Sequence, residues 1–363
     1  MVDDKYSEKP IIRCVTGFTK TDIDWSKDGL KKAFENTLNI VEEASDLLKS
    51  NGYNVWTKRI SLSIPPITVY SRLPDMLSDV IPSNYLVSTG CLFLEEVNID
   101  KITDIVSQGI YLCLIWGKEP DAIKVADIFI KASSLDPINA TRIALSLTGT
   151  PLESPYYPLS TSLYGEGIGI ALLYPKYLEQ IFNKRGLRGI KKCLLSIEKD
   201  FLTIFEEFNT RYFVDYSISP WMENSVVELI ESITGYSPDK PGFMHGIYIL
   251  NNVLKEFMSM SKLMQGYNEV MLPYAEDNLL LKYGFEGKIS AKDFLRFSSV
   301  CVSGPDMIVV PNDRSKLIGY IRDSLALGRS KGRCMGLRII PVDSKVGEKV
   351  VLGKFGEVYV IDY

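Results

Sequence analysis

Histidine is almost missing from this chain: His245 is the single example in 363 residues. That excludes metal centres built on several imidazoles, so a bound metal would lean on carboxylates and suit a hard cation such as Mg or Ca. Cysteine is sparse and unpaired in sequence. Cys14, Cys91, Cys113, Cys193, Cys301 and Cys334 are scattered with no C-x-x-C spacing, which disfavours a zinc cluster or a disulfide framework. There is no basic excess. Lys and Arg number 41 against 45 Asp and Glu, for a net charge of −4, whereas nonspecific nucleic-acid binding needs a surface that displaces counterions from phosphates. No apolar run approaches the roughly 18 residues needed to span a bilayer. The segment from Met1 to Pro10 is polar and acidic, without a basic stretch followed by an apolar one. The expectation is therefore a cytoplasmic protein with neither nucleic-acid nor membrane partners.

What is present is an alternation of strand and helix patterns. Hydrophobic residues make up 46% and charged residues 24%, enough for a sizeable core. Ile11 to Phe18 reads as a strand, and Leu30 to Leu48 as an amphipathic helix closed by Asn51-Gly52. A longer helical pattern from Lys176 to Phe208 is expected to break around Gly186 and Gly189. About ten strands and as many helices follow along the chain. That is more than a small doubly wound sheet uses, and no Pro/Ser-rich linker divides it, so residues 1–363 are expected to form one domain.

Two stretches read as copies of one element: Arg59-Ile60-Ser61-Leu62-Ser63-Ile64-Pro65 and Asp215-Tyr216-Ser217-Ile218-Ser219-Pro220. Residues two apart on a strand share a face. Arg59, Ser61 and Ser63 therefore oppose Ile60, Leu62 and Ile64, and Asp215, Ser217 and Ser219 oppose Tyr216 and Ile218. Ser61 to Ser217 and Ser63 to Ser219 are the same 156-residue step, which also sets Leu38 on Leu194, Val41 on Ile197 and Leu48 on Ile204. The pattern predicts two related halves, about 11–165 and 166–363, meeting around a polar-lined interior.

Four further features carry chemistry-bearing residues. The glycine cluster Leu163-Tyr164-Gly165-Glu166-Gly167-Ile168-Gly169 matches neither common phosphate-loop spacing, so a tight structural turn competes with a role for Glu166 at a ligand. Cys301-Val302-Ser303-Gly304-Pro305-Asp306 leads into an apolar strand; a cysteine on such a loop is a nucleophile only with a base nearby, and is otherwise a buried apolar group. His245 is the one histidine for that role, with a helix cap or core position as the bland alternative. Arg338, inside Gly336-Leu337-Arg338-Ile339-Ile340, needs an anionic partner if buried: Asp215, Asp306, Glu166, or a bound carboxylate or phosphate.

The C-terminal run CVSGPDMIVVPND, then SLALG, GLRIIPV and LGKFGEVYV, resembles the signature end of the domain-of-unknown-function 711 family. KRISLSIPP, the glycine cluster after Ser154-Pro155, and DYSISP leading to His245-Gly246 are similar to other stretches of that family. Two departures stand out: Leu163-Tyr164-Gly165 replaces a common Phe-His-Gly, and Asn312 stands where the family has glycine. The resemblance implies a pyruvate formate-lyase-like fold, a ten-stranded α/β barrel of two pseudo-symmetric five-stranded halves. It also implies an uncharacterised activity. Kinship with glycyl-radical enzymes raises a radical on Gly353 or Gly356 with Cys301 as relay, but the glycine-loop flanks of those enzymes are missing here.

The leading expectation is a non-radical enzyme acting on a small anionic metabolite in the barrel mouth. Glu166, Asp215, His245 and Cys301 would be its acid–base or nucleophilic groups. Arg59, Ser61, Ser63, Tyr164, Ser217, Ser219, Asp306 and Arg338 would bind the ligand. The competing expectation is a non-catalytic small-molecule-binding or regulatory protein working as a homodimer. A divalent cation at Asp306, Asp313 or Asp215 is a third.

Overall fold

The computed structural model describes residues 9–300 and 303–363. Five strands, β1 (Ile11–Phe18), β2 (Val55–Ser61), β3 (Leu86–Phe93), β4 (Tyr111–Ile115) and β5 (Ile143–Ser146), pair in parallel in chain order. Parallel neighbours need crossovers, and helices supply them. The largest, Lys27–Ser50, starts on Ser26, whose side chain accepts from the Gly29 amide, and buries Leu30, Phe34, Val41 and Leu48. It lies directly on β1 because position 17 is glycine; a Cβ there would run into Thr37 and Val41.

The second part of the chain enters the same sheet in the opposite sense. β6 (Gly167–Leu173) pairs antiparallel with β1, and β7 (Arg211–Asp215) pairs parallel with β6. At the other edge β9 (Gly336–Leu337) pairs antiparallel with β5. The result is a mixed eight-stranded sheet, ordered β7-β6-β1-β2-β3-β4-β5-β9, clothed in helices. β8 (Ile308–Pro311) and β10 (Ile339–Val342) form a separate parallel pair, and β11 (Lys349–Val351) and β12 (Glu357–Tyr359) an antiparallel hairpin.

The architecture is α/β as expected, but the regular ladder holds eight strands rather than ten. Beyond β7 the pairing becomes irregular: Val214 N donates to Leu263 O at 2.8 Å, Ile218 N to Glu269 O at 3.1 Å, and Tyr274 N to Asp306 O at 2.9 Å. A single residue, Arg338, separates β9 from β10.

The 156-residue step is visible in the fold, since it carries Ile11 onto Gly167 and Val55 onto Arg211, the first residues of β6 and β7. Val41 and Leu48 are buried in one long helix, Leu194 and Ile197 in the other (Pro175–Ile204). That second helix kinks at Gly186, with φ 61°, while Gly189 stays buried within it. The expected break around these glycines thus falls at Gly186. The serine segment of the second copy is also not a strand proper. β7 ends at Asp215, and within residues 216–219 Ile218 alone forms a bridge, to Val270. Among the described residues no helix is long and apolar enough to cross a membrane.

Candidate functional site

A chamber of about 810 Å³ opens at the end of the sheet where β1 to β4 begin. This is the end toward which β7 runs, because β6 and β7 oppose β1 and β2. Aromatic rings make much of its wall. Trp56 meets Trp221 edge-on at 4.8 Å, Trp221 meets Phe355 at 5.4 Å, and Tyr111 meets Tyr157 at 5.1 Å. An aromatic wall with a few convergent polar groups is the usual make-up of a small-molecule site.

Five cationic side chains line this space (Arg13, Lys58, Arg59, Arg338 and Lys354) against three carboxylates (Glu42, Glu276 and Asp306). Most are paired with one another. Arg338 grips Asp306 with two nitrogens at 2.5 and 2.7 Å and reaches Glu276 at 3.1 Å. Arg13 donates to Glu276 at 2.6 Å and to the Pro220 carbonyl at 2.7 Å. Lys58 pairs with Glu42 at the rim. Burial pushes the Glu276 carboxyl up, but Arg338, Arg13 and Lys354 outweigh it and hold the group below its ordinary range. Asp306 goes the other way: burial raises it more than Arg338 lowers it.

Arg59 is the buried exception. Its nitrogens meet only neutral oxygens, Pro155 O at 3.1 Å and Thr57 Oγ1 at 3.3 Å. Its guanidinium lies over the Tyr157 ring, 5.1 Å from the centroid. Among the described residues no carboxylate pairs with it. Two further buried polar atoms of chamber residues lack a partner among the described residues, Arg13 Nε and Ser303 Oγ. The Ser303 loop is held close by glycine at 304, where φ is +88° and a Cβ would collide with the Gly336 backbone.

The structure thus brings four of the sequence candidates to one chamber: Arg59, Ser219, Asp306 and Arg338. It places the rest elsewhere. Ser61 is buried deeper, with Oγ 2.5 Å from Ser160 Oγ and 3.3 Å from the Tyr157 hydroxyl. Ser63 is buried beside Ser162, with its Oγ unpartnered among the described residues. Ser217 donates to Asp215 at 2.6 Å. Asp215 also accepts from Ser154 Oγ, Ser217 N, Tyr267 N and Asn268 N. It is a structural carboxylate without the access a general base needs, and burial raises its pKa.

Glu166 and Tyr164 lie at the opposite end of the sheet, on the bend before Gly167, which pairs with Phe18. His245 stands exposed on the helix Phe243–Met258, its ring near that of Tyr248. Cys301 falls outside the described residues. Burial pushes the Cys193 thiol up to about 12 and the Cys334 thiol up to about 11, so both behave as small apolar groups. Asp306, Asp313 and Asp215 do not converge; Asp313 caps the helix Arg314–Lys331. Among the described residues no cluster of carboxylates, thiols and imidazoles suits a metal.

The reason the serine faces do not enclose an open cavity is the segment from Leu152 to Ser162, which threads between them. Pro155 O receives Thr16 Oγ1 at 3.2 Å as well as Arg59, Tyr157 donates to Ile60 O at 2.6 Å, and Tyr156 donates to Ser217 O at 3.3 Å. Sequence reasoning missed Arg13, Glu276, Tyr157 and Lys354. Arg13 was within reach of it: an arginine inside Ile11-Ile12-Arg13-Cys14-Val15 breaks an apolar strand just as Arg338 does. Glu276 and Lys354 sit in loops with no such signal.

The geometry defines an α/β protein with an interior, aromatic-walled chamber carrying more cations than carboxylates. Residues 190–353 match the model of the family described as Uncharacterised ACR (DUF711). The chain is similar to proteins named only as UPF0210 protein. The one from Sulfurisphaera tokodaii is 29% identical over 261 residues, 65% of this chain and 57% of the relative. That from Ruminiclostridium cellulolyticum is 28% identical over 317 residues, 84% and 66% respectively. That from Lactiplantibacillus plantarum is 30% identical over 146 residues, 39% and 33%. The chain therefore spans about half the length of the first of these relatives, and less of the last.

Proposed function

We propose that the protein binds a small anionic metabolite in this chamber. The observation that carries the reading is Arg59. A cation withdrawn from water without a counter-charge is costly, and an anion entering beside it offsets that cost through charge-assisted hydrogen bonds. The unpartnered Arg13 Nε and Ser303 Oγ add donors to the same space. Arg13, Arg338, Glu276 and Asp306 close on one another and act as a rigid frame. In this reading the ring of strands closes around the chamber, with the 263–271 segment, β8 and the β9–β10 run completing ten. That is the pyruvate formate-lyase-like arrangement.

The test is calorimetric titration with a panel of mono- and dicarboxylates and phosphate esters, on the native protein and on Arg59→Met. The expected outcome is anion binding that weakens at least tenfold in the variant and falls with ionic strength. Equal affinity in both proteins would remove Arg59 from the reading. Binding of neutral analogues in preference to anions would remove the reading itself.

A second reading, non-radical catalysis on the bound anion, is favoured by one observation. Asp306 faces the chamber with a pKa raised by burial, the direction that suits a carboxyl exchanging protons nearer neutrality. It predicts that Asp306→Asn retains ligand binding and abolishes turnover.

A further inference from the structure

Resting on the anion-binding reading, we infer that the ligand carries two separated anionic groups, one read by Arg59 in the interior and the other by Lys354 at the mouth. The basis is a row of four side chains. Arg59 lies over the Tyr157 ring at 5.1 Å, Tyr157 packs on Tyr111 at 5.1 Å, and Lys354 stands 5.9 Å from the Tyr111 centroid with Nζ 3.3 Å from the Tyr111 hydroxyl. A cation thus stands at each end of a two-ring platform.

Both cations are held by neutral atoms. Arg59 is fixed by a carbonyl and a hydroxyl, with two of its nitrogens engaged and the remaining donors of the fork directed at no described carboxylate. Lys354 sits at the tip of the β11–β12 hairpin, in the single turn Gly353–Phe355. Its Nζ donates to a phenol, the Tyr111 hydroxyl. It helps to hold the Glu276 carboxyl down, but that carboxylate is already shared by two arginines. The platform itself cannot move easily: the Tyr157 hydroxyl is committed to Ile60 O, and Phe355, beside Lys354, is buried against Trp221.

Two fixed cations separated by flat rings fit a molecule with an anion at each end and an unsaturated or ring-bearing body. One anion alone would leave the other cation unanswered. The second contact is then intramolecular, and it multiplies affinity when the spacing matches.

The experiment compares aromatic probes that differ only in the second charge: benzoate with terephthalate, and biphenyl-4-carboxylate with biphenyl-4,4′-dicarboxylate. Each is titrated calorimetrically into the native protein, Arg59→Met and Lys354→Met, with thermal melts to verify folding. The expected result is that at least one dianion binds tenfold or more tightly than its monoanion. Lys354→Met removes that advantage, while Arg59→Met weakens binding of both. Lys354 is exposed, so its variant remains informative even if Arg59→Met is poorly folded. Equal affinity for mono- and dianions, or a dianion advantage that survives Lys354→Met, overturns the two-anion proposal and leaves the anion chamber standing. Failure of every anion to bind the native protein overturns both.

Discussion

Arg59 and Asp215 occupy the same position of the repeated segment, 156 residues apart, and the fold treats them in opposite ways. Both are buried charges. Asp215 is enclosed by five donors from its own chain, and even a methyl group on Gly266 would collide with it. Arg59 meets two neutral oxygens and faces a chamber. The difference lies in the surroundings and not in the level along the sheet. β2 and β7 belong to one sheet but run oppositely, through the antiparallel junction of β1 with β6, and the register sets Arg59 level with Thr16 and Asp215, by way of Ala171, level with Cys14. The Leu152 to Ser162 segment touches both, with Pro155 O on Arg59 and Ser154 Oγ on Asp215. Only Arg59 also borders the chamber. A duplicated motif can thus hold the fold together in one copy and offer a charge to a ligand in the other.

That contrast can be broken experimentally, and the largest effect is expected at the enclosed carboxylate. Asp215→Ala leaves five buried donors without an acceptor, and urea unfolding is expected to show a loss of about 5 kcal/mol. Arg59→Met is expected to cost no more than about 1 kcal/mol, because no charge is orphaned by it. Similar losses for the two would mean that the two charges are not distinct in kind. Next comes Arg338→Met, which leaves Glu276 and Asp306 short of a counter-ion. Its cost is expected at about 3–5 kcal/mol, and a double variant with Asp306→Asn is expected to recover part of it.

A smaller effect concerns Asp277, another carboxylate satisfied by its own chain. It accepts from Ser225 Oγ and from the amides of Val226, Val227 and Leu279. Burial raises its pKa from the ordinary 3.8 to about 6. The folded state therefore holds this proton more tightly than the unfolded one. Its contribution to stability is fully present below about pH 4 and is lost as pH rises through about 6, amounting to about 2–3 kcal/mol. Chemical denaturation across that window should show the decline, and Asp277→Asn should flatten it. The smallest effect is at His245, exposed and outside the chamber lining; His245→Ala is expected to change stability by under about 0.5 kcal/mol and ligand binding not at all.

Much of the architecture was legible because periodicity is local. The alternation at Arg59 to Ser63 and Asp215 to Ser219, and the helix stripes matched by the same step, follow from neighbours two to four residues apart. The site was legible only in part. Arg59 and Arg338 announce themselves as charges in apolar strands. Glu276, Tyr157 and Lys354 reach the chamber from loops whose course depends on contacts far away in sequence. The open serine-lined cavity failed for the same reason: nothing local to Ser61 or Ser217 reveals that residues 152–162 fill the space between them. His245 and Glu166 attracted attention by residue type alone, which carries no information about where a side chain ends up.

The threaded segment has a consequence for how the molecule assembles. Its carbonyls and hydroxyls are fastened to β1, β2 and β3 on one side and to the β7 extension on the other. Neither half can finish its own interior before the other has arrived to receive it. Such interlocking favours a single concerted melting event and argues against either stretch folding apart from the other.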